Sequence, residues 1–402
     1  MAGEPPRYEY EAGVDINYVD ASGYASWMQG SAGKLRYDGE SDGLLLSRGF
    51  ASYKLRFNDT VSANVAAEIY DDGVGPSADF TEAFVEWRPV ATTPNRYRFK
   101  LGAFYPRISL ENTDVGWSSP YSITPSALNT WVGEELRVFG VEASVSRRPQ
   151  SLGGAHSFAM HAAVFYNNDP AGTLLSWKGW SLHDRQSRFS DELPLPPVPQ
   201  IQPGMWFDAQ DPFVAEFREI DNSGGYYVNG EWMINHRLLL RIMHYDNRAD
   251  PESYEDGQFG WRTDFDHVGL QASLPGDVGL IAQWMRGATV WGRETDGVHA
   301  VDVEFHSDFV LVTKSIGAHR ISFRYDRFEV LENDRIPLDN NSEHGDAWTA
   351  AYEFRISERA SVAAEWLEMQ SHREAWAYFG LDKVNTERQL QLGLRLRFGN
   401  RQ

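Results

Sequence analysis

Charged side chains recur at every second position in several segments of this chain. The basic residues with this spacing are Lys34, Arg36, Lys54, Arg56, Arg98, Lys100, Arg324, Arg395 and Arg397. The acidic residues that we group with them are Glu68, Glu82, Glu86, Asp302, Glu304 and Glu365. Two chemistries fit such rows. Opposed rows of charge around water select solutes by their field, whereas paired rows form cross-strand ion pairs that keep a polar wall hydrated.

The sequence carries none of the short motifs that mark common catalytic centres. It has no GxSxG elbow, no HExxH pair, no phosphate-binding GxxxxGK[ST] loop and no EF-hand loop. It also contains no cysteine, so thiolate chemistry and disulfides are excluded. We therefore predict no catalytic residues, no metal ligands in a catalytic site, and a protein that is not an enzyme.

Alternation also describes the elements that carry the charged rows. In segment 388–398, Leu390, Leu392, Leu394, Leu396 and Phe398 share one face, and the opposite face is polar and ends in two arginines. A period of two over ten residues predicts a β-strand, because successive side chains point to opposite faces. Such a strand fits either a soluble sandwich or a membrane barrel with lipid outside and water inside.

Composition restricts the partners of the chain. The formal net charge of −20 over 402 residues argues against a nucleic-acid partner, which needs a basic surface. No apolar run approaches the ~18 residues of a membrane helix. The mean hydropathy of −0.47 is compatible with barrel strands, because only alternate residues face lipid. The opening MAGEPPRYEY lacks the basic start and apolar core of a signal peptide, which predicts a mature sequence.

About sixteen alternating segments follow one another, with connections that alternate between short turns and long acidic loops. Strict alternation places all turns at one rim and all loops at the other, as in bacterial outer-membrane barrels. We predict an all-β, transmembrane, antiparallel up-and-down barrel of about 16 strands, with 18 as the alternative. The predicted barrel spans 24–398 and begins with a strand at 24–37. Segment 1–23 is an N-terminal extension, which is periplasmic, luminal or an extra strand, and 399–402 is a C-terminal tail.

The third long connection, 106–133, is unusually rich in aromatic residues for a loop. It contains Glu111, Asp114, Trp117, Tyr121 and Trp131. A loop of this length and apolar content must pack against something. We predict that it folds into the lumen as a constriction loop rather than lying on top of the barrel.

Segment 101–141 carries a specific resemblance. It reads GAFYPRISLEN before the long loop and GEELRVFGVEAS after it. This arrangement resembles the phosphate-selective porin O/P family, in which a strand ending in a glycine, an aromatic and a proline precedes the constriction loop. The resemblance implies a sixteen-stranded, often trimeric porin in which basic residues guide anions. The chain differs from that pattern in its strong overall acidity.

These observations predict a porin of a Gram-negative outer membrane, a passive channel for small hydrophilic solutes, anions among them. The alternative is a non-conducting barrel, a scaffold or receptor that binds a partner through its long outer loops. Expected partners are outer-membrane lipid, lipopolysaccharide, small solutes and two further copies in a homotrimer. No cofactor is expected. The acidic outer loops offer carboxylate oxygens suited to Ca²⁺ or Mg²⁺, but their spacing matches no defined site, which favours solvated loop tips.

Overall fold

The computed structural model describes residues 7–41, 43–147 and 154–400 as a closed sixteen-stranded barrel. Its strands are β1 Arg7–Ser22, β2 Gly43–Arg56, β3 Val61–Ile69, β4 Ala78–Trp87, β5 Asn95–Phe104, β6 Val138–Arg147, β7 His156–Tyr166, β8 Gly225–Ile234, β9 Leu238–Asp246, β10 Arg262–Leu274, β11 Val278–Trp291, β12 Val301–Ile316, β13 His319–Glu332, β14 Glu343–Ser357, β15 Ala360–Arg373 and β16 Val384–Gly399.

Every barrel strand pairs antiparallel with its sequence neighbours, and β1 closes the sheet against β16. At the closure Asp15 lies opposite Arg395, and Val14 lies opposite Leu396. Closure leaves the barrel without an edge, so every strand has a hydrogen-bonding partner on both sides. The prediction of an up-and-down barrel of sixteen strands is confirmed. Among the described residues, no helix is both long enough and apolar enough to cross a membrane.

The connections alternate as the sequence indicated. Short turns such as 57–60, 235–237, 275–277 and 317–318 lie at one end of the barrel, which we call the turn rim. The longer connections lie at the other end, which we call the loop rim, and the largest are 105–137 and 167–224. Positive φ angles at Asn235, His236 and Asp277 fit the tight turns.

The prediction for the first strand is wrong. Barrel strand β1 is Arg7–Ser22. Of the three alternatives for segment 1–23 (periplasmic, luminal or an extra strand), the extra strand is therefore the correct one for most of the segment. Segment 24–41 contains a single short 3₁₀ helix, Trp27–Gln29, and belongs to a loop. The predicted number of sixteen strands is still correct, because the strand that was missed, Arg7–Ser22, offsets the strand wrongly predicted at 24–37. Residues 1–6, 401 and 402 lie outside the described residues.

The outward-facing row of each strand is apolar over the part nearest the turn rim. In β16 the leucines at 390 and 392 and Phe398 are exposed, while Gln389, Gln391 and Arg395 point inward and are buried. Aromatic residues border this apolar zone near the turn rim, and Tyr8 stacks on Tyr53 there. An apolar band with aromatic borders is the surface that hydrocarbon and its interfaces require.

Strand β12 reverses its polarity part-way along. Near the loop rim its inward row is apolar, and Val301, Val303 and Phe305 are fully buried. Its outward row there is charged, so the prediction that Asp302 and Glu304 line the channel is wrong. Glu304 forms an exterior ion pair with Arg286; the Glu304 side chain is 41% exposed and the Arg286 side chain is 63% exposed. The reversal has two causes: this end of the strand stands beyond the hydrocarbon, and an apolar core fills the lumen beside it.

That core is formed by three loops folded into the barrel, which we call the plug: residues 24–41, 105–137 and 167–224. The plug contains two α-helices, α1 Ala127–Glu135 and α2 Thr173–Trp177. Ser126 caps the start of α1 by accepting a hydrogen bond from the Asn129 backbone N–H, at 3.2 Å. All nine residues of α1 are buried. The predicted inward fold of the third loop is confirmed, and the first and fourth loops join it.

Smaller elements complete the loop rim. They are the 3₁₀ helices Pro199–Ile201 and Glu374–Phe379, and two pairs of two-residue strands, Leu193–Pro194 with Phe213–Val214 and Tyr254–Glu255 with Gln258–Phe259.

Candidate functional site

The lumen has two halves of different chemistry. In the half nearest the loop rim, the plug and the inward wall residues form one continuous apolar core. In the half nearest the turn rim, polar and charged inward side chains border open cavities, together with a few apolar residues such as Met233 and Leu239. We call this second half the vestibule.

One basic surface of the vestibule lies on β5 to β9. A cavity of about 440 Å³ there is bordered by Arg88, Arg96, Arg98, Arg107 and Arg147. Glu231 is the acidic residue on its border. Arg98 pairs with the buried Glu142 at 3.1 Å, and Arg107 pairs with Glu231 at 2.7 Å. Five arginines and one glutamate border the cavity, and it keeps an excess of positive charge when the neighbouring Lys100, Glu86 and Glu142 are included.

Lys100 and Glu86 also belong to this wall. The Lys100 Nζ lies 3.9 Å from Glu142, and Glu86 lies 3.8 Å from Arg98 and 2.6 Å from Arg88. These predicted lining residues face the lumen as expected, and each lies within ion-pair distance of an opposite charge.

A second cavity of the vestibule, about 460 Å³, borders β1 to β4. Lys54 and Glu82 line it, and the Glu82 carboxylate also accepts a hydrogen bond from the Tyr105 backbone N–H at 3.2 Å. Arg56 lies at the rim and pairs with Glu9 at 2.5 Å, with about half of its side chain exposed.

A third cavity lies beside the barrel closure. It is bordered by Arg320, Arg355, Arg395 and Arg397 together with Glu353 and Glu358. Asp114 borders both this cavity and the second one, so the tip of the third loop stands between them. Trp117 stacks on Tyr105 at 4.6 Å between ring centroids, and Arg320 lies over the Tyr121 ring at 5.6 Å. The loop therefore narrows the vestibule with residues of the predicted constriction set.

Trp131 occupies the centre of the plug. Its side chain is 2% exposed and packs against Trp180 of the fourth loop and against Phe265 and Phe305 of the wall, with centroid distances of 5.9, 5.7 and 5.1 Å. It is therefore a core residue of the plug and has no surface on a water-filled constriction.

Charged wall residues anchor the third loop. Arg324 is fully buried and donates to Glu111 at 2.9 Å and to Asp326 at 2.7 Å. It also donates to the carbonyls of Thr124 and Pro125, at 2.7 and 3.0 Å. A buried guanidinium with two carboxylates and two carbonyls has its donors satisfied.

Further wall residues contact the same loop. Glu365 accepts from the backbone N–H groups of Ile123 and Thr124, at 2.6 and 3.1 Å. Arg395 donates to the Ser122 carbonyl at 2.9 Å, and its neighbour Arg397 pairs with Asp15 at 2.7 Å. These residues face the lumen as predicted, but most of their hydrogen bonds go to the loop backbone and the wall.

Lys34 and Arg36 lie in the plug and not on a strand. Lys34 pairs with Glu343 of β14 at 2.8 Å, and Arg36 pairs with Asp184 of the fourth loop at 2.9 Å. Burial lowers the pKa of Lys34 to about 8 despite the nearby Glu343. The prediction that they line the wall of the first strand is wrong, because that strand does not exist. Glu68 is also buried, near Arg48 at 3.6 Å and hydrogen-bonded by the Tyr70 hydroxyl.

The end of α1 carries adjacent glutamates with opposite behaviour. Burial opposes ionisation of Glu134, but the charges of Lys178 and His183 outweigh it and lower its pKa to about 2. Burial raises the pKa of Glu135 to about 7, although Trp131 and the Leu174 N–H donate to it. Glu216 of the fourth loop is 1% exposed, its carboxyl group lies beside that of Glu135, and neither of its oxygens accepts a well-aligned hydrogen bond. Burial and the charge of Glu135 raise the pKa of Glu216 well above its usual range.

Sequence reasoning missed the residues that hold the fourth loop. Arg373 of β15 donates to the Ser176 and Trp177 carbonyls at 2.6 and 3.0 Å, and pairs with Glu343 at 3.0 Å. A signal was present in segment 173–182, TLLSWKGWSL, which is as apolar as the third loop and equally unsuited to water.

Comparison with known proteins supports the fold. No family model and no curated protein sequence matches this chain. Solved structures do match it. They include the DcaP outer membrane channel of Acinetobacter baumannii (TM-score 0.56, 11% identity, covering 99% of this chain and 98% of that one). A loop L8 deletion mutant of OmpT, an outer membrane protein of Vibrio cholerae, has a TM-score of 0.54 at 10% identity, covering 98% and 99%. An anion-selective porin from Comamonas acidovorans has a TM-score of 0.51 at 12% identity, covering 98% and 100%.

The chain thus has the fold of porin-like outer-membrane barrels. All of these neighbours are bacterial outer-membrane proteins that match it over nearly their whole length, and the apolar exterior band described above is what such a location requires.

Proposed function

We propose that this protein is a passive outer-membrane channel for small hydrophilic solutes, with a preference for anions. The observation that carries the proposal is the vestibule, in which arginines dominate two of three cavities although the chain as a whole has a net charge of −20. A local excess of positive charge in a confined space raises the concentration of anions there.

Two further observations support an anionic solute. Segment 101–141 resembles the phosphate-selective porin O/P family, and one structural neighbour is described as an anion-selective porin. The vestibule adds free positive charge, since Arg355 points into the third cavity, is exposed, and has no ion-pair partner among the residues that the structure describes. Phosphate and small carboxylates are the solutes that guanidinium groups recognise best.

The plug supports a second candidate function. Three loops form a buried core in the half of the lumen nearest the loop rim. This arrangement suits a non-conducting receptor or scaffold whose loops bind a partner. The two functions differ in one measurable property. A channel conducts ions across a planar bilayer, and a receptor does not.

The test is therefore conductance with a salt gradient across the bilayer. We expect the wild-type protein to give channels whose reversal potential favours chloride over potassium. The double variant Arg96→Glu/Arg355→Glu should shift the reversal potential towards potassium, because both side chains are exposed in the vestibule. Arg293→Glu is the matched control, since Arg293 is an exposed arginine in the loop between β11 and β12.

Each outcome decides between the candidates. Conductance with an unchanged reversal potential in the double variant would remove the vestibule arginines from the selectivity mechanism. No conductance from correctly folded wild-type protein, at any voltage, would favour the receptor.

The exterior supports a homotrimer. Outward residues of β2 to β7 stay apolar up to the loop rim, as Leu46, Phe80 and Phe139 show, whereas β10 to β16 carry charges at that height. We propose that the apolar sector faces neighbouring copies and that the charged sector contacts lipopolysaccharide. Sedimentation of detergent-solubilised protein should give a trimer, and Leu46→Arg should give monomers.

A further inference from the structure

The loop between β13 and β14 contains a compact group of carboxylates. Oxygen atoms of Glu332, Asp334 and Asp339 all lie within 4.8 Å of one another. None of the three forms an ion pair with a basic residue among those that the structure describes. Three like charges at this spacing repel strongly unless protons or a cation neutralise them.

Backbone hydrogen-bond donors orient two of the three carboxylates. Asp334 accepts from the backbone N–H groups of Ile336 and Asp302, at 2.9 and 3.0 Å. Glu332 accepts from the Asn341 N–H at 2.7 Å. Outer-shell donors of this kind hold metal ligands in place at known sites.

One oxygen of the Asp339 carboxylate accepts no well-aligned hydrogen bond. The Asp339 side chain is 2% exposed, and while its Oδ2 accepts from the Asn341 side-chain amide at 3.3 Å, its Oδ1 has no such bond. A buried carboxylate oxygen without a hydrogen bond is costly, and this cost is removed when the oxygen binds a cation. The Trp177 indole N–H lies beside the Asp339 carboxylate and likewise has no well-aligned partner.

We propose that Glu332, Asp334 and Asp339 bind one divalent cation, and that this cation is Ca²⁺. Three carboxylates and added water supply the oxygen ligands that Ca²⁺ takes in flexible geometry, whereas Mg²⁺ requires a near-ideal octahedron. The site lies at the loop rim, next to Asn341, whose carbonyl accepts from Arg373, and Arg373 in turn donates to the end of α2. Occupancy therefore stabilises the strand-end region that anchors the fourth loop of the plug.

Terbium luminescence tests the site directly, because Tb³⁺ replaces Ca²⁺ and is sensitised by a nearby tryptophan. Full-length protein in detergent, stripped with a chelator, is titrated with Tb³⁺, and Ca²⁺ is then added as competitor. We expect a saturable signal that Ca²⁺ displaces. Trp177→Phe should remove most of the signal while leaving the Ca²⁺ affinity in place.

Asp339→Asn and Asp334→Asn should each weaken Ca²⁺ binding by at least about tenfold, since even outer-shell partners of a metal are worth that much. Asp296→Asn is the control, because Asp296 is an exposed aspartate of a neighbouring loop. Heat-modifiable gel mobility verifies that each variant is folded. If Asp339→Asn does not fold, the Ca²⁺ affinity of Asp334→Asn is the deciding measurement, because Asp334 is only half-buried.

Two results would overturn the proposal. One is wild-type protein that binds no Ca²⁺ at millimolar concentration. The other is binding that persists in both variants and is lost in Asp221→Asn, which would place the ion at the second acidic group, Asp169, Glu219 and Asp221. Neither result depends on conductance, so the site and the channel function can fail separately.

Discussion

Arg324 on the barrel wall donates to Glu111 of the third loop at 2.9 Å, with both side chains fully buried. The pair joins two segments that are more than 200 residues apart in the chain. It shows how this barrel uses luminal charges, since the same residues that the sequence offers as channel lining hold the loops inside the lumen.

Replacing Arg324 by Met should release the third loop. The change leaves Glu111 and Asp326 buried without a cation, which costs about 3–5 kcal/mol in comparable buried pairs. We expect faster proteolysis within 105–137 and larger single-channel conductance, with the barrel intact. Arg327→Met is the control: it breaks an exterior pair with Asp308 whose arginine is 61% exposed, and such pairs contribute about 1 kcal/mol or less. Equal protease resistance in the two variants would contradict the anchoring role of Arg324.

Removing the ring at the centre of the plug should loosen all three loops. Trp131→Ala leaves a cavity between the third and fourth loops, and such truncations cost about 3–5 kcal/mol. Intrinsic fluorescence and proteolysis of 167–224 report the loss of packing. Trp348→Ala, at an exposed outward position of β14, should leave the plug unchanged. A Trp131 variant with wild-type protease resistance would show that the plug is held by its charged anchors alone.

The plug should loosen as pH rises. Burial raises the pKa of Glu135 from 4.5 to about 7, and that of Glu216 well above its usual range, so the packed plug holds protons that the released loops give up. Release is then coupled to proton loss, and the stabilisation is complete below about pH 4.5 and is lost as pH rises through 7. Proteolysis of 167–224 should increase between pH 5 and pH 8.

Glu216→Gln should make this pH profile shallower, because the amide stays neutral in both states and only Glu135 of the two still titrates. Glu192→Gln, at an exposed position of the same loop, should keep the wild-type profile. A steep profile in Glu216→Gln would assign the transition to other groups.

On β16 the lipid-facing surface ends abruptly towards the loop rim, between the exposed Arg388 and the exposed leucines that follow it. Leu392→Arg should destabilise the barrel by about 2–4 kcal/mol, the cost of an arginine near the middle of the bilayer. Arg388→Leu, four residues nearer the loop rim, should change stability little, since Arg388 is 61% exposed and pairs with Glu368. Denaturant titration in lipid vesicles measures both, and equal effects would contradict this placement of the membrane.

Much of the architecture was readable from the sequence because two signals are local. Side-chain alternation identifies strands such as 388–398, and turn residues such as Asn58 to Thr60 separate them. The first strand was misplaced although apolar residues alternate from Tyr8 to Tyr18, because the apolar residues after Tyr24 also allow a strand and pairing with β16 decides between the two segments.

The site was harder to predict because the direction of a side chain depends on what fills the lumen. Alternation at 301–308 is clear, yet which row faces outward follows from Trp131 and Trp180, which meet Phe305 from distant loops. The same applies to Lys34 and Arg395: their charges were visible, but whether they meet water or a loop carbonyl depends on tertiary packing.

The polarity reversal of β12 makes its alignment unusually strict. A slip by one residue would turn Glu304 and His306 into the aromatic centre of the lumen and move Val303 and Phe305 out among lipid headgroups. Both faces of the strand would then meet surroundings of the wrong polarity. In a barrel strand with a water-filled interior, a slip places the wrong residues mainly on the lipid side. The apolar core in the lumen thus adds a second constraint on strand register. A misregistered β12 is destabilised by its contacts with that core as well as by its contacts with the membrane.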